Sequence, residues 1–262
     1  MMNRAINHLV LATVDSLTKF KNKLAYYLAI FAMVFGSTFG TMNSANAATV
    51  NIADTKVITA ADKDGSGGGV LLPDDDYTIN GATGTFSTST TQIDVNSLTS
   101  ITSALSTLTI SGSGGLITGV LTATKAMTIE IADTSSLTIS GASVSTETLT
   151  INLTDTASFI STGDTTQTAI LTAAADGDGV VTFSGVTNMD ALIGVTAKDI
   201  GTLNMSAGGS IDAAAFVKDI NLSGGDTDFT AAIAADTVDM TGEATTAKIG
   251  STFVSATADG TA

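Results

Sequence analysis

Asp62-x-Asp64-x-Ser66-Gly67 opens like a calcium loop, with side-chain oxygens at alternate positions followed by a glycine turn. Such a pattern suits a hard cation that collects several oxygen ligands. Asp62, Asp64 and Ser66 are therefore the candidate metal ligands, and calcium is the one candidate cofactor. The twelfth position of the loop, where a bidentate glutamate belongs, is Pro73, so a solvated acidic loop accounts for the same residues. Two further carboxylate pairs, Asp176 with Asp178 and Asp226 with Asp228, have the residue type that sugar cleavage needs, one acid to protonate and one base or nucleophile. The second pair sits in Gly224-Gly225-Asp226-Thr227-Asp228-Phe229. That run has the composition of a calcium nonapeptide, but it lacks the second glycine and its aspartates fall out of place.

The rest of the composition removes other chemistries. The chain has 262 residues, no Cys and no Trp. From residue 48 onward it holds 6 Lys, 24 acids and neither Arg nor His, a net charge of −18. Zinc sites, Ser-His and Cys-His nucleophile pairs, arginine clamps and basic nucleic-acid grooves all require types missing from that stretch. With only Tyr77 and six Phe to stack on sugar rings, and no cation to hold an acidic sugar, a polysaccharide groove is poorly supplied. No catalytic residue is assigned, and nucleic acid is excluded as a partner by charge.

The first 47 residues have the opposite character. Arg4, Lys19, Lys21 and Lys23 precede an uncharged apolar run from Leu24 to Phe39, and Ala45-Asn46-Ala47 provides a small-x-small cleavage site. This is the pattern of an export signal, cleaved after Ala47. The run of 16 residues reaches about 24 Å as a helix, short of a hydrocarbon core of about 30 Å. After cleavage no membrane insertion is expected, and an exported chain without cysteine is stabilised by burial and hydrogen bonds alone.

Low aromatic content with many Thr, Val, Ile, Gly and Ser favours short strands over helices. One core recurs: apolar, polar, apolar, hydroxyl, glycine. It appears as Leu108-Thr-Ile-Ser-Gly112, Leu137-Thr-Ile-Ser-Gly141, Val181-Thr-Phe-Ser-Gly185, Ile220-Asn-Leu-Ser-Gly224 and Val238-Asp-Met-Thr-Gly242, with Leu203-Asn-Met-Ser206 as a further copy. Alternation turns Leu108, Ile110, Leu137, Ile139, Leu203, Met205, Ile220, Leu222, Val238 and Met240 inward, and Thr109, Thr138, Asn204, Asn221 and Asp239 outward. The last copies begin at 181, 203, 220 and 238. Ile211 and Phe216, Phe229 and Ile233, and Ile249 and Phe253 form a second apolar set between them. Leu105, Ile200, Val217 and Ala235 add a third apolar position three residues before a core.

Repeats of this length cannot bury an apolar face alone and must stack. The expected fold is all-β, a parallel β-helix or solenoid with about 18–22 residues per coil. The alternative is a β-sandwich, whose strands also alternate and return at short intervals; a leucine-rich repeat fits less well, because Gly225 stands where its asparagine belongs. The expected organisation is a signal peptide at 1–47, an N-terminal cap and first turns at 48–97, and solenoid repeats at 98–262 that stop in mid-pattern. A threonine column on the outer face raises ice binding, but the middle residue changes to Asn and Asp in the later copies.

The leader together with these repeated cores resembles the β-strand-repeat surface proteins of bacteria, the group of autotransporter passengers, large adhesins and S-layer-like proteins. That resemblance implies a bacterial cell-surface or extracellular protein, non-enzymatic, serving as stalk, coat or adhesive surface. It also implies self-association, or a host or cell-surface glycan or protein, as partner. A secreted polysaccharide-active enzyme on a β-helix scaffold is the alternative function.

Overall fold

The structure is a computed structural model. It describes residues 49–52, 56–59, 76–79, 83–89, 92–100, 106–145, 147–242 and 246–258. The leader, Leu105 and the candidate calcium ligands Asp62, Asp64 and Ser66 lie outside the described residues.

Every pairing of strand with strand among the described residues is parallel, and no α-helix occurs among them. The chain climbs as a coil whose turns contribute in order to three sheets. In one coil Met127–Ile131 belongs to the first sheet, Ser136–Ile139 to the second and Ser143–Ser145 to the third. The next coil repeats the order with Leu149–Leu153, Ser158–Ser161 and Thr165–Gln167, each in register with its predecessor. Higher up, Ala215–Leu222 passes from the first sheet to the second without a break. Its burial alternates except at Lys218 and Asp219, where two consecutive residues face outward and mark the bend.

The solenoid expectation holds, and the sandwich and leucine-rich alternatives fall with it. Leu203, Ile220 and Val238 are direct parallel partners on neighbouring coils, which places them about 4.8 Å apart. Coil length varies: Leu171 to Ile193 and Ile193 to Ala215 each span 22 residues, Ala215 to Ile233 only 18. The described strands between 49 and 100 already belong to the same parallel stack.

Ile200, Val217 and Ala235 stack inward as one column and Ile211 and Phe229 as another, which Ile249 continues in register in the last coils while 45% exposed. Leu108, Ile110, Leu137, Ile139, Leu203, Met205, Ile220 and Leu222 are all fully buried. Three details differ from the sequence reading. The copy at Leu108 lies on the first sheet and the copy at Leu137 on the second, so the shared template does not mark one column. Val238 and Met240 are only partly buried, because they line an apolar opening of about 220 Å³ in the last coils with Ile220, Phe229, Ala247, Ile249 and Phe253. Phe216 points outward; Ala215 takes the inward place in line with Ile233 and Phe253, since a strand gives each face only alternate residues.

Candidate functional site

The coils enclose a largely apolar interior, and the acidic residues that sequence offers to chemistry lie on the sheet faces and corners. Asp176 and Asp178 occupy the corner turn after Ile170–Ala173, where the chain leaves the first sheet. Lys218 sits at the same corner two coils higher. Its Nζ lies 2.9 Å from Asp176 Oδ2, 3.5 Å from Asp199 Oδ2 and 3.8 Å from Asp236 Oδ2. One ammonium thus bridges carboxylates drawn from separate coils. Asp176 also accepts a hydrogen bond from the backbone N–H of Asp199 at 3.2 Å.

The bond from Lys218 and then that backbone N–H hold the Asp176 carboxyl below the usual carboxylate range. The Asp176 partner raises the Lys218 amine above its ordinary value, with the other carboxylates adding to the effect. Asp178 is turned to a different task, accepting the Ala175 backbone N–H at 2.9 Å and closing its own turn. The two acids that sequence pairs are therefore held in separate structural roles.

Asp226 and Asp228 lie on the strand Asp226–Phe229 of the third sheet. Both face outward, as the alternation of the strand requires. Asp228 Oδ2 receives Lys248 Nζ from the next coil at 2.7 Å, while its Oδ1 is shielded without a hydrogen-bond partner. Just below, Ser210 donates to Asp212 at 2.9 Å and Thr230 donates to the other oxygen of Asp212 at 2.9 Å. Among the described residues no group of three or more His, Cys, Asp or Glu side chains is placed to hold a metal ion. Gly224 and Gly225 form the bend that precedes this strand.

The second sheet carries an axial ladder on its outer face. Asn221 Nδ2 donates to Asn204 Oδ1 at 2.9 Å, and Asn204 Nδ2 donates to Thr182 Oγ1 at 3.2 Å. The change from Thr to Asn in successive copies is thus a ladder of amides and hydroxyls, each bonding to the coil below.

Sequence reasoning did not find the Lys218 cluster, although the signal was present: residues 176, 199, 218 and 236 are separated by about one coil each. It also missed Gln167, which is fully buried inside the coils.

The fold defines the class, a parallel β-solenoid with acidic corners. Comparison with known proteins finds no matching family model, no matching curated protein and no matching solved structure.

Proposed function

We propose that the chain is an exported, non-enzymatic structural or adhesive protein of the bacterial surface, its stacked coils serving as stalk or coat. The observation that carries this reading is the use made of the carboxylates. The acids best placed for chemistry, Asp176, Asp178 and Asp228, are bound to Lys218, to the Ala175 backbone and to Lys248, and two of these bonds tie one coil to another. Their roles are those of a scaffold that must stay stacked without disulfides. The basic and apolar leader, with its cleavage site after Ala47, supports export. The finer assignments of adhesin, autotransporter passenger or S-layer component rest on the resemblance of the repeated cores.

Protease treatment and impermeant amine labelling of intact producing cells, followed by N-terminal sequencing of the recovered protein, test the reading. The expected result is surface accessibility and a mature terminus at Ala48. A protein retained inside the cell, or one beginning at Met1 or anywhere before residue 40, overturns it.

A further inference from the structure

Among the described residues an aspartate is followed by a glycine only at Asp176-Gly177 and Asp178-Gly179, side by side in the corner turn after the first sheet. This dipeptide has a reactivity of its own. The glycine nitrogen, with no Cβ beside it to hinder approach, can attack the carboxyl carbon of the aspartate before it. A C–N bond forms, and the carboxyl OH leaves with the amide proton as one water. A second water then opens the cyclic imide at the original backbone carbonyl. The main chain now runs through the side-chain carbonyl, an isoaspartyl linkage longer by one methylene. One water leaves and one enters, and no other reagent takes part.

Exposure favours this reaction at Asp176. Its side chain is 49% exposed, Gly177 is exposed as well, and nothing lies within 4 Å of the place a Gly177 Cβ would take. The hydrogen bonds oppose it. Asp199, one coil above, donates its backbone N–H to Asp176 Oδ1 at 3.2 Å and accepts the Gly177 N–H at its carbonyl at 2.9 Å. The attacking nitrogen and the carboxyl it would attack are thus tied to separate groups of one residue. Lys218, two coils above, holds the other oxygen, Oδ2, at 2.9 Å. An ammonium so close favours the ionised carboxylate, whose carbon is a poor target for a nucleophile. In Asp178-Gly179 the corresponding groups are bound without Lys218. Asp178 Oδ2 accepts the Ala175 N–H at 2.9 Å, the Gly179 N–H donates to the Asp155 carbonyl at 2.8 Å, and Gly179 is buried against Leu153.

We propose that Asp176-Gly177 is a latent modification site, an aspartyl bond open to conversion into isoaspartate, and that Lys218 is the positioning residue that keeps it closed. The reaction starts only from local openings in which the carboxyl has left Lys218 and the Asp199 N–H, so its rate follows the population of those openings. Of the three bonds that hold the dipeptide, the one from Lys218 is the only one supplied by a side chain. Loss of that ammonium frees Oδ2 and lets the carboxyl take up the proton it needs to lose water. The product disturbs the stack. The Gly177 carbonyl packs against Gly201 of the coil above, where an added Cβ would lie 2.3 Å from its oxygen. An extra methylene in the main chain moves that carbonyl and breaks the bond from Gly177 to Asp199. Neither the bonds nor the reaction depend on where the chain resides, so export of the protein is a separate matter.

Purified protein held at neutral pH and sampled over time, with aspartyl and isoaspartyl linkages distinguished by electron-transfer mass spectrometry, tests the proposal. Asp176 of the folded parent is expected to convert at least tenfold more slowly than in the same protein unfolded in urea. K218M is expected to speed conversion at Asp176 at least threefold and to leave Asp178 at the parent rate. K218R restores the cation and is expected to return Asp176 towards the parent rate. Asp178 lies in the same turn but owes no bond to Lys218, so it reports any general loosening of the corner and keeps the result readable if K218M is less stable. The proposal is overturned if Asp176 converts as fast in the folded parent as in urea, if K218M leaves its rate unchanged or accelerates Asp178 equally, or if K218R behaves as K218M.

Discussion

Gln167 Oε1 accepts a hydrogen bond from the backbone N–H of Ser143 at 3.1 Å, inside the coils and beyond the reach of solvent. Nε2 of the same amide has two protons to donate among three acceptors within reach, the Gly141 carbonyl at 3.2 Å, Ser161 Oγ at 3.0 Å and Thr165 Oγ1 at 2.9 Å. Ser143 and Gln167 are the one pair by which these neighbouring strands of the third sheet meet in register. The side chain thus continues a backbone ladder where strand pairing has nearly lapsed. Replacing it by Leu keeps the volume and removes the partners of buried backbone groups, each costing about 1–3 kcal/mol when left unsatisfied. Q167L is expected to lose about 3 kcal/mol in urea unfolding, although an apolar residue there would continue the column of Met189, Ile211 and Phe229 above it. A variant as stable as the parent would show that the amide does not maintain the ladder.

This site also marks the limit of what sequence made legible. Where apolar and polar residues alternate without interruption, as in Leu203–Met205 and Ile220–Leu222, the inward set and the coil period could be read directly and the structure agrees. Thr165-Thr166-Gln167 carries no apolar residue, so nothing in its pattern marks it as a strand with a buried end. Phe216 was misassigned for a related reason: Ala215 and Phe216 are both apolar, and alternation alone does not choose between them. The partners of Lys218 come from three other coils, so they emerge only once the coil length is known.

The Lys218 cluster gives a titration test with a definite sign. The folded value of Asp176 lies below its unfolded value of about 3.9. Its contribution to stability is therefore present above that unfolded value and is lost as pH falls through the lower folded one. Lys218 is shifted upward, so its contribution is present below about 10.4 and is lost as pH rises through the higher folded value. Carboxyl NMR is expected to find the Asp176 midpoint depressed in the parent chain and moved up towards 3.9 in K218M. High salt should narrow the difference, since Asp176 is exposed and Lys218 partly so. An Asp176 midpoint that K218M leaves unchanged would sink the assignment of the shift to Lys218.

Leu222 and Asn221 are neighbours on one strand with opposite facing, so the same new charge tests the register twice. Leu222 is fully buried between Met205 and Met240. L222D places an unpaired carboxylate among them and is expected to cost about 4 kcal/mol, enough to unfold a marginal stack. Asn221 faces outward and donates to Asn204. N221D removes that donor and adds an exposed charge, at about 1 kcal/mol. Thermal unfolding with the two costs reversed would mean that the strand is rotated to the other face.

Gly163 and Gly177 separate two reasons for glycine in this fold. Gly163 has an ordinary backbone conformation, but a Cβ there would lie 2.2 Å from the carbonyl oxygen of Ser140, part of the coil below. Backbone on both sides of the clash leaves nothing flexible to yield. Gly177 has φ +88° in the corner turn of Asp176, with nothing within 4 Å of an added Cβ. G163A must therefore push two coils apart, and overpacking of this kind costs about 1–3 kcal/mol or more. G177A incurs only the left-handed backbone penalty, about 1–2 kcal/mol. The two variants should differ in kind as well as size. G163A is expected to weaken hydrogen-exchange protection at Thr162 and Ser184, whose N–H groups bond to the coil below at Ile139 and Ser161, whereas G177A should loosen only its own turn around Ala175 and Asp178. Equal exchange at Thr162 in both variants would show that the close approach of coils at Gly163 does not constrain the stack.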